Sequence, residues 1–241
     1  MFINVNDHPS LVSAVNEATR LSAQGGSTIY VPGRVAPYDA KGIQWPENTQ
    51  VFGDGQGVKI TGISTISHVR GGEMLSLNFI DGINLLNCRS THFKNIQFNG
   101  VVTLQGTSYY NVFDLCDWYK VGSVLKIIGQ CNKNTVRDSR SSYSGNAVEF
   151  LPDNKGRLAD GWKFSDTAFE GWTETGIGTV GAIIVRGKKH KFVDCWFEPG
   201  GNKDYLEYTV IFENDAYGCG IVDGFREWHF RVRDRSNSNF W

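Results

Sequence analysis

Phe164-Ser165-Asp166-Thr167-Ala168-Phe169 and Phe192-Val193-Asp194-Cys195-Trp196-Phe197 share one pattern, in which a single Asp lies between apolar or aromatic residues. Four other segments repeat it with one Asn or Asp, at residues 93–98, 112–116, 136–139 and 221–225. The six polar residues stand at positions 95, 114, 138, 166, 194 and 223, so the steps are 19, 24, 28, 28 and 29 residues. A repeat of this length made of short β-type segments predicts a solenoid.

A second apolar run follows the polar segment in each repeat, at residues 101–104, 124–128, 147–150, 182–185 and 210–212. Two short strands per repeat describe one turn of a coil of strands. Neighbouring strands lie ~4.8 Å apart, so equivalent residues of successive repeats become neighbours along the coil. Stacked and buried carboxylates would repel each other, so we expect the repeat Asp residues to bond turn backbone or to face solvent.

The two ends of the chain differ from the repeats. An apolar stripe at helical spacing predicts a helix over about 9–24, with Asp7 as its cap and Gly25-Gly26 at its end. Residues 225–235 alternate aromatic and charged side chains, and an irregular tail is expected over about 226–241, or a last strand with a charged edge. The prediction is a single domain over residues 1–241.

Composition argues against several classes of partner and cofactor. The 241 residues include 24 Lys and Arg and 25 Asp and Glu, so neither nucleic acid nor an anionic membrane is expected to bind. The first residues lack the features of a signal peptide, and synthesis in the cytoplasm is expected. Five cysteines lack zinc spacing and are expected to be small buried side chains. No metal site and no cofactor are predicted.

The N-terminal third resembles the pectate-lyase-like superfamily of right-handed parallel β-helices. The resemblance rests on the helix at 11–18, on GGSTIYVPG at 25–33 and on TQVFGDG at 49–55. It implies an all-β fold, a right-handed single-stranded parallel β-helix with an N-terminal capping α-helix. Within the superfamily the chain is most similar to bacteriophage tailspike or tail-appendage domains. That likeness implies a homotrimer in the virion that binds, and often cuts, bacterial surface polysaccharide. The polygalacturonase and pectate lyase motifs are absent from the sequence.

Glu170 and Glu198 are the predicted catalytic pair, since each follows its repeat Asp by four residues. On adjacent turns their carboxyl groups would lie about one strand spacing apart, which suits a retaining glycosidase if the carboxyls are ~5–5.5 Å apart. Asp166 or Asp194 would assist. Trp172 and Trp196 are predicted to stack on sugar rings. The alternative is that the carboxylates are merely solvated and the aromatic rings belong to the core.

Arg137 and Arg140, with Asp138 and Glu149, form a second candidate group, in which a guanidinium would bind the carboxylate of a uronic or sialic acid. The alternative is a surface ion-pair ladder. A lyase would also need a base, for which the candidates are Tyr143, Lys163 and His190.

Three functions remain open. The first is a polysaccharide-binding depolymerase, either hydrolase or lyase, on a phage tail. The second is a non-catalytic structural or adhesive appendage. The third is a cellular polysaccharide lyase or hydrolase.

Overall fold

The part of the chain that the structure describes winds into a β-solenoid with three parallel sheets and a single α-helix near its N-terminus. The computed structural model describes residues 1–22, 26–55, 57–67, 70–119, 125–142, 147–170, 181–198, 208–226 and 230–241. The helix, α1, covers Leu11–Ser22 and follows a 3-10 turn at Val5–Asp7. The predicted all-β parallel solenoid with an N-terminal helix is confirmed.

The strands of the described residues are short, and each turn of the solenoid contributes three of them. In chain order they are β1 Phe2–Asn4, β2 Thr28–Val31, β3 Tyr38–Asp39, β4 Gln44–Trp45, β5 Gln50–Gly53, β6 Lys59–Thr61, β7 Ser64–Ser67, β8 Glu73–Leu75, β9 Asn78–Phe79, β10 Gly82–Leu86, β11 His92–Lys94, β12 Gln97–Phe98, β13 Val101–Gln105, β14 Val112–Asp114, β15 Asp117–Tyr119, β16 Leu125–Ile128, β17 Thr135–Arg137, β18 Arg140–Ser142, β19 Val148–Leu151, β20 Lys163–Ser165, β21 Ala168–Glu170, β22 Gly181–Lys188, β23 Lys191–Val193, β24 Trp196–Glu198, β25 Tyr208–Tyr217, β26 Gly220–Val222, β27 Phe225–Arg226 and β28 Val232–Asp234.

Three sheets run along the solenoid, and neighbouring strands within each sheet are parallel. The first sheet has the order β1-β2-β5-β8-β11-β14-β17-β20-β23-β26. The second has the order β27-β24-β21-β18-β15-β12-β9-β6-β3, and the third has the order β28-β25-β22-β19-β16-β13-β10-β7-β4. The chain therefore visits the first, second and third sheets in turn, and residues one turn apart become lateral neighbours.

The repeated Asn or Asp is the bend between the first and second sheets, so each polar segment holds two strands rather than the predicted one. In residues 93–98, β11 ends at Lys94 and β12 begins at Gln97, with Asn95 at φ 54° between them. The equivalent residues of later turns, Asp138, Asp166, Asp194 and Asp223, have φ between 48° and 55° and exposed side chains. Asn and Asp tolerate this left-handed conformation better than other L-residues, which explains the repeat. The expectation that repeat Asp residues face solvent is confirmed at these four bends.

The sequence pattern predicts Asp114 as the bend residue of its turn, which is wrong by one position. The bend residue of its turn is Leu115, at φ 54°, while Asp114 is the last residue of β14 and is buried. Its carboxylate accepts a hydrogen bond from Arg137 Nη2 at 3.0 Å and lies 3.4 Å from His92 Nε2. The Arg137 guanidinium holds the pKa of Asp114 below its ordinary value despite the burial. Asp114 is thus an ion-pair residue of the first sheet and not a turn residue.

The interior is filled by columns of apolar side chains that stack from turn to turn. Phe164 and Phe192 stack with ring centroids 4.8 Å apart, and Phe169 and Phe197 do so at 5.5 Å. All five cysteines are free and buried, which confirms their prediction as core residues. Burial raises the pKa of the Cys116 and Cys195 thiols to about 12, so neither is a reactive thiolate at neutral pH.

The helix α1 lies against one end of the solenoid. Its residues Ala14, Val15, Ala18 and Leu21 are buried, and it contacts β2, β3 and β4. The Ser13 N–H donates to Ser10 Oγ at 3.1 Å, so Ser10 caps the helix and Asp7, the predicted cap, lies in the preceding 3-10 turn. In the described part of the chain no helix is long and apolar enough to cross a membrane.

Candidate functional site

The strongest candidate site lies on the outer face of the second sheet, on β21 and β24. These strands pair in register, with Ala168 beside Trp196, Phe169 beside Phe197 and Glu170 beside Glu198. Side chains alternate along a strand. Phe169 and Phe197 are buried in the solenoid, whereas Glu170 and Glu198 are on the outside and partly exposed. The two carboxylates therefore come from backbone positions one strand spacing apart, ~4.8 Å.

Trp196 is a surface residue with an organised ring. Its side chain is 42% exposed and stacks on Phe225 of the next turn, with ring centroids 4.0 Å apart and planes at 21°. The indole Nε1–H donates to Glu198 Oε2 at 2.8 Å. The ring is thus fixed by a stack on one side and a hydrogen bond at its edge. Both aromatic side chains are outside the core, since Phe225 is 46% exposed.

Arg140 and Asp117 border the same face in the two preceding turns. Arg140 is in register with Ala168, and Asp117 is in register with Arg140. Arg140 Nη2 lies 3.1 Å from Asp117 Oδ2. That hydrogen bond, and to a smaller extent the charge of Glu170, raises the pKa of the Arg140 guanidinium.

A small residue leaves a space in this column of side chains. Going along the solenoid, the outward positions are Asp117, Arg140, Ala168, Trp196 and Phe225. Phe225 stacks on one face of the Trp196 ring, and Ala168 is the register neighbour of Trp196 on the other side. The Arg140 guanidinium is bonded to Asp117, on the side away from Ala168. We call the space over Ala168, between Arg140 and Trp196, the Ala168 gap. Glu170 and Glu198 lie along its side.

The other predicted site residues are dispersed. Asp166 and Asp194 lie on the bend that precedes β21 and β24, exposed and one turn apart. Arg137 lies on the first sheet, where it binds Asp114, and Glu149 lies on the third, with its Oε2 4.0 Å from Lys126 Nζ. The predicted group of Arg137, Arg140, Asp138 and Glu149 is therefore not brought together. Arg140 alone of these four lies beside Glu170.

Trp172, a predicted sugar contact, and Tyr143, a candidate base, lie outside the described residues, as do all other residues of 171–180 and 199–207.

His190, a candidate base from the sequence, lies in the core with 0% exposure. Its ring packs on Phe150 with centroids 4.2 Å apart, and burial lowers its pKa to about 4. The pairing of β22 with β25 shifts register between Val185 and Gly187, three residues before His190. A Cβ on Gly187 would lie 3.1 Å from His190 Nε2. The residue is structural, and Lys163 lies on the first sheet, away from Glu170.

Sequence reasoning missed Phe225, Asp117 and the role of Ala168. The signal was present, because Arg140, Ala168, Trp196 and Phe225 each follow a bend Asp by two residues, as Glu170 and Glu198 follow theirs by four. Counting from the bend residue of each turn therefore finds the whole face. Among the described residues, no group of three His, Cys, Asp or Glu side chains is arranged to hold a metal ion.

No protein-family model matches the chain, and no curated protein matches it. Among solved structures, it is similar to the catalytic domain of a GH87 alpha-1,3-glucanase in complex with tetrasaccharides. That match has 12% identity and a TM-score of 0.54, and it covers 100% of this chain and 69% of the other. ORF18 of Geobacillus virus E2 matches with 14% identity and a TM-score of 0.44, over 97% of this chain and 60% of that one. The glucanase likeness shows a shared β-solenoid fold.

Proposed function

We propose that this chain binds a polysaccharide along the outer face of its second sheet. The observation that carries the proposal is the 42% exposed Trp196 ring, stacked on Phe225 and next in register to the small Ala168, with Glu170 and Glu198 beside it. An aromatic face packs against the apolar face of a sugar ring, and nearby carboxylates accept hydrogen bonds from its hydroxyls. A solenoid offers a long surface suited to a long polymer. The glucanase domain that shares the fold was solved with tetrasaccharides, which is compatible with this proposal.

The proposal includes hydrolysis of the glycan by a retaining mechanism, for which a carboxyl separation of ~5–5.5 Å is required. Glu198 is the nucleophile, because the Trp196 Nε1–H bond to Oε2 fixes its orientation. It attacks the anomeric carbon while Glu170, as the acid, protonates the departing glycosidic oxygen. Glu170 then takes a proton from water, which attacks the glycosyl-enzyme and releases Glu198. Asp166 and Asp194 assist by binding sugar hydroxyls beside the pair.

The resemblance of the N-terminal third supports a more particular setting. We place the chain in a bacteriophage tail appendage, as a homotrimer that acts on bacterial surface polysaccharide. Sedimentation velocity of the purified chain tests the trimer, and a purely monomeric species would count against this setting.

A second candidate is non-catalytic glycan adhesion by the same face. It is favoured by the contact between Trp196 and Glu198, since a carboxylate already bonded within the protein also suits a rigid binding surface.

The two functions separate in one experiment. Purified protein is incubated with capsule or lipopolysaccharide preparations, and products are followed as reducing ends, with absorbance at ~235 nm for the unsaturated ends of a lyase. Glu170→Gln and Glu198→Gln should each abolish new reducing ends while glycan binding persists, with exposed Glu47→Gln as the control. Binding without cleavage by the parent protein supports adhesion. Cleavage that survives both substitutions removes the pair from the mechanism.

A further inference from the structure

We infer that the Ala168 gap accepts an uncharged sugar ring and that its border disfavours glycans whose sugars carry carboxylate or sulfate groups. This inference rests on the proposed function of the second-sheet face and names the class of glycan that it takes.

The gap has the dimensions of one stacked ring. Arg140 and Trp196 come from strands two spacings apart, about 9.6 Å, and the strand between them presents only the methyl of Ala168. A ring in van der Waals contact with the indole, ~3.5–4 Å away, would lie over that methyl. The Phe225 stack and the hydrogen bond to Glu198 already immobilise the Trp196 ring, so little side-chain entropy is lost on binding.

The charges around the gap are mainly negative. Glu170 and Glu198 line its side, and Asp166 and Asp194 are exposed on the adjoining bend. Two arginines of the second sheet lie near the gap among the described residues. The Arg140 guanidinium is already paired with Asp117 at 3.1 Å, and the Arg226 guanidinium lies over the Phe230 ring, 5.5 Å from its centroid. A sugar carboxylate would therefore meet four carboxylates and two guanidinium groups that already have partners.

Arg137 does not change this balance. It is the other arginine that the sequence associates with the site, but it lies on the first sheet and binds Asp114 at 3.0 Å. Like charges brought together at an interface weaken binding strongly, whereas hydroxyl groups of a neutral sugar find acceptors in the same carboxylates.

In contrast to the charged border of the gap, the earlier strands β9 and β12 carry amides at their outward positions. Asn78 Nδ2 donates to Gln97 Oε1 at 2.9 Å, and Asn99 Nδ2 donates to Asn78 Oδ1 at 3.0 Å. These amides continue the surface away from the gap, on the far side of Arg140 and Asp117. A neutral polymer running along the solenoid axis would meet hydrogen-bonding groups there without needing a charge of its own.

The test compares neutral and carboxylated oligosaccharides of equal length by titration calorimetry. The probes are maltohexaose, laminarihexaose and chitohexaose on one side, and hexamers of galacturonan and hyaluronan on the other. At least one neutral probe should bind about tenfold or more tightly than any carboxylated one. The double substitution Asp166→Asn with Asp194→Asn should narrow this ratio by relieving the repulsion.

A larger side chain at position 168 tests whether the sugar binds in the Ala168 gap. Ala168→Trp should weaken binding of the neutral probe by about tenfold or more, because the new ring would occupy the sugar's place against Trp196. Thr103→Trp, an outward position on the third sheet, is the matched control and should bind like the parent protein. Unchanged circular dichroism and melting temperature of both variants would show that they fold.

The outcomes distinguish failure of the proposed polysaccharide binding from failure of the inferred preference for uncharged sugars. If no probe of either class binds, and no surface glycan does, the proposed function fails. If a carboxylated probe binds as well as the neutral ones, the glycan binds but the inference about its class is overturned. If Ala168→Trp binds normally, the gap is not the sugar's position and the inference is again overturned.

Discussion

His190 Nδ1 accepts a hydrogen bond from the backbone N–H of Trp162 at 3.2 Å, in the place where an amide oxygen stands in an earlier turn. There, Asn134 Oδ1 accepts from the Asn111 N–H at 2.9 Å. Because Nδ1 is the acceptor, the proton of the neutral ring is on Nε2, which donates to the Arg186 carbonyl at 2.9 Å. His190 therefore continues a buried ladder of turn-to-turn hydrogen bonds only while it is uncharged.

Acid should destabilise the solenoid through His190. Burial lowers its pKa from 6.5 to about 4, so the unfolded chain binds the proton first as pH falls. The contribution of neutral His190 to the free energy of unfolding is fully present above pH 6.5. It is lost as the pH falls from 6.5 to 4, by about 3 kcal/mol in all. The measurement is the urea unfolding free energy between pH 7.5 and 4, which should fall along this curve.

His190→Asn is the control for that prediction. An Asn side chain offers an amide oxygen to the Trp162 N–H, as Asn134 does to Asn111, and does not titrate. At pH 7.5 the variant will have a lower free energy of unfolding than the parent protein, since it loses the packing of the His190 ring on Phe150. Its decline between pH 6.5 and 4 should nevertheless be shallower than that of the parent. Equal slopes in the two proteins would show that another group carries the acid sensitivity.

Leu115→Asn should stabilise the protein. Leu115 occupies the left-handed bend position at φ 54°, which costs an L-residue about 1–2 kcal/mol, and Asn pays less of that cost. The Leu side chain is 52% exposed, so little burial is lost. We expect a gain of about 0.5–1 kcal/mol in the free energy of unfolding, measured as a higher urea midpoint at constant slope. The reverse exchange at the next bend, Asp138→Leu, should lower stability by a similar amount, and a gain in both variants would contradict the explanation.

Asn111→Ala should be strongly destabilising. The buried amide accepts from the Thr91 N–H at 3.0 Å and donates to the Cys88 carbonyl and to Asn134 Oδ1, both at 2.9 Å. Removing it leaves the buried Thr91 N–H without its acceptor, at about 1–3 kcal/mol, and deletes two further buried hydrogen bonds. The Cys88 carbonyl and Asn134 Oδ1 each keep a backbone donor, from Tyr109 and from residue 111. We expect a loss of roughly 3 kcal/mol in the free energy of unfolding. Asn84→Ala on the outer face of the third sheet should cost less than 1 kcal/mol, about the size of an ordinary surface change.

The sequence predicts register well where the step between repeats is constant. Asp166 and Asp194 stand 28 residues apart, and no insertion separates either Asp from its Glu, so the alignment of Glu170 with Glu198 follows from counting. At Asp114 counting fails, because the bend is occupied by Leu115, a residue type that carries no turn signal.

Neighbours in sequence can also be separated by a bend that sequence reasoning does not weigh. Arg137 and Arg140 are three residues apart, but Asp138 bends the chain between them, and their side chains lie on different sheets. The cations at 188 and 189 predict a solvated turn and are exposed, yet His190 follows them into the core, where its ring packs on Phe150 and bonds the Trp162 N–H. Contacts of this kind, between residues far apart in the sequence, depend on tertiary packing and give no local sequence pattern.

Trp196→Phe should separate sugar stacking from the orientation of Glu198. A Phe ring keeps an aromatic face toward the Ala168 gap and a partner for Phe225, but it lacks the N–H that bonds Glu198 Oε2 at 2.8 Å. We expect glycan Kd to change by no more than about 3-fold and kcat to fall about tenfold or more, since a hydrogen bond to a charged group is worth ~1.5–3 kcal/mol. Trp196→Ala, which removes the face as well, should lose binding. A variant Trp196→Phe with parental kcat would show that Glu198 does not depend on the indole, and equal loss of binding in both variants would assign recognition to the N–H rather than to the ring.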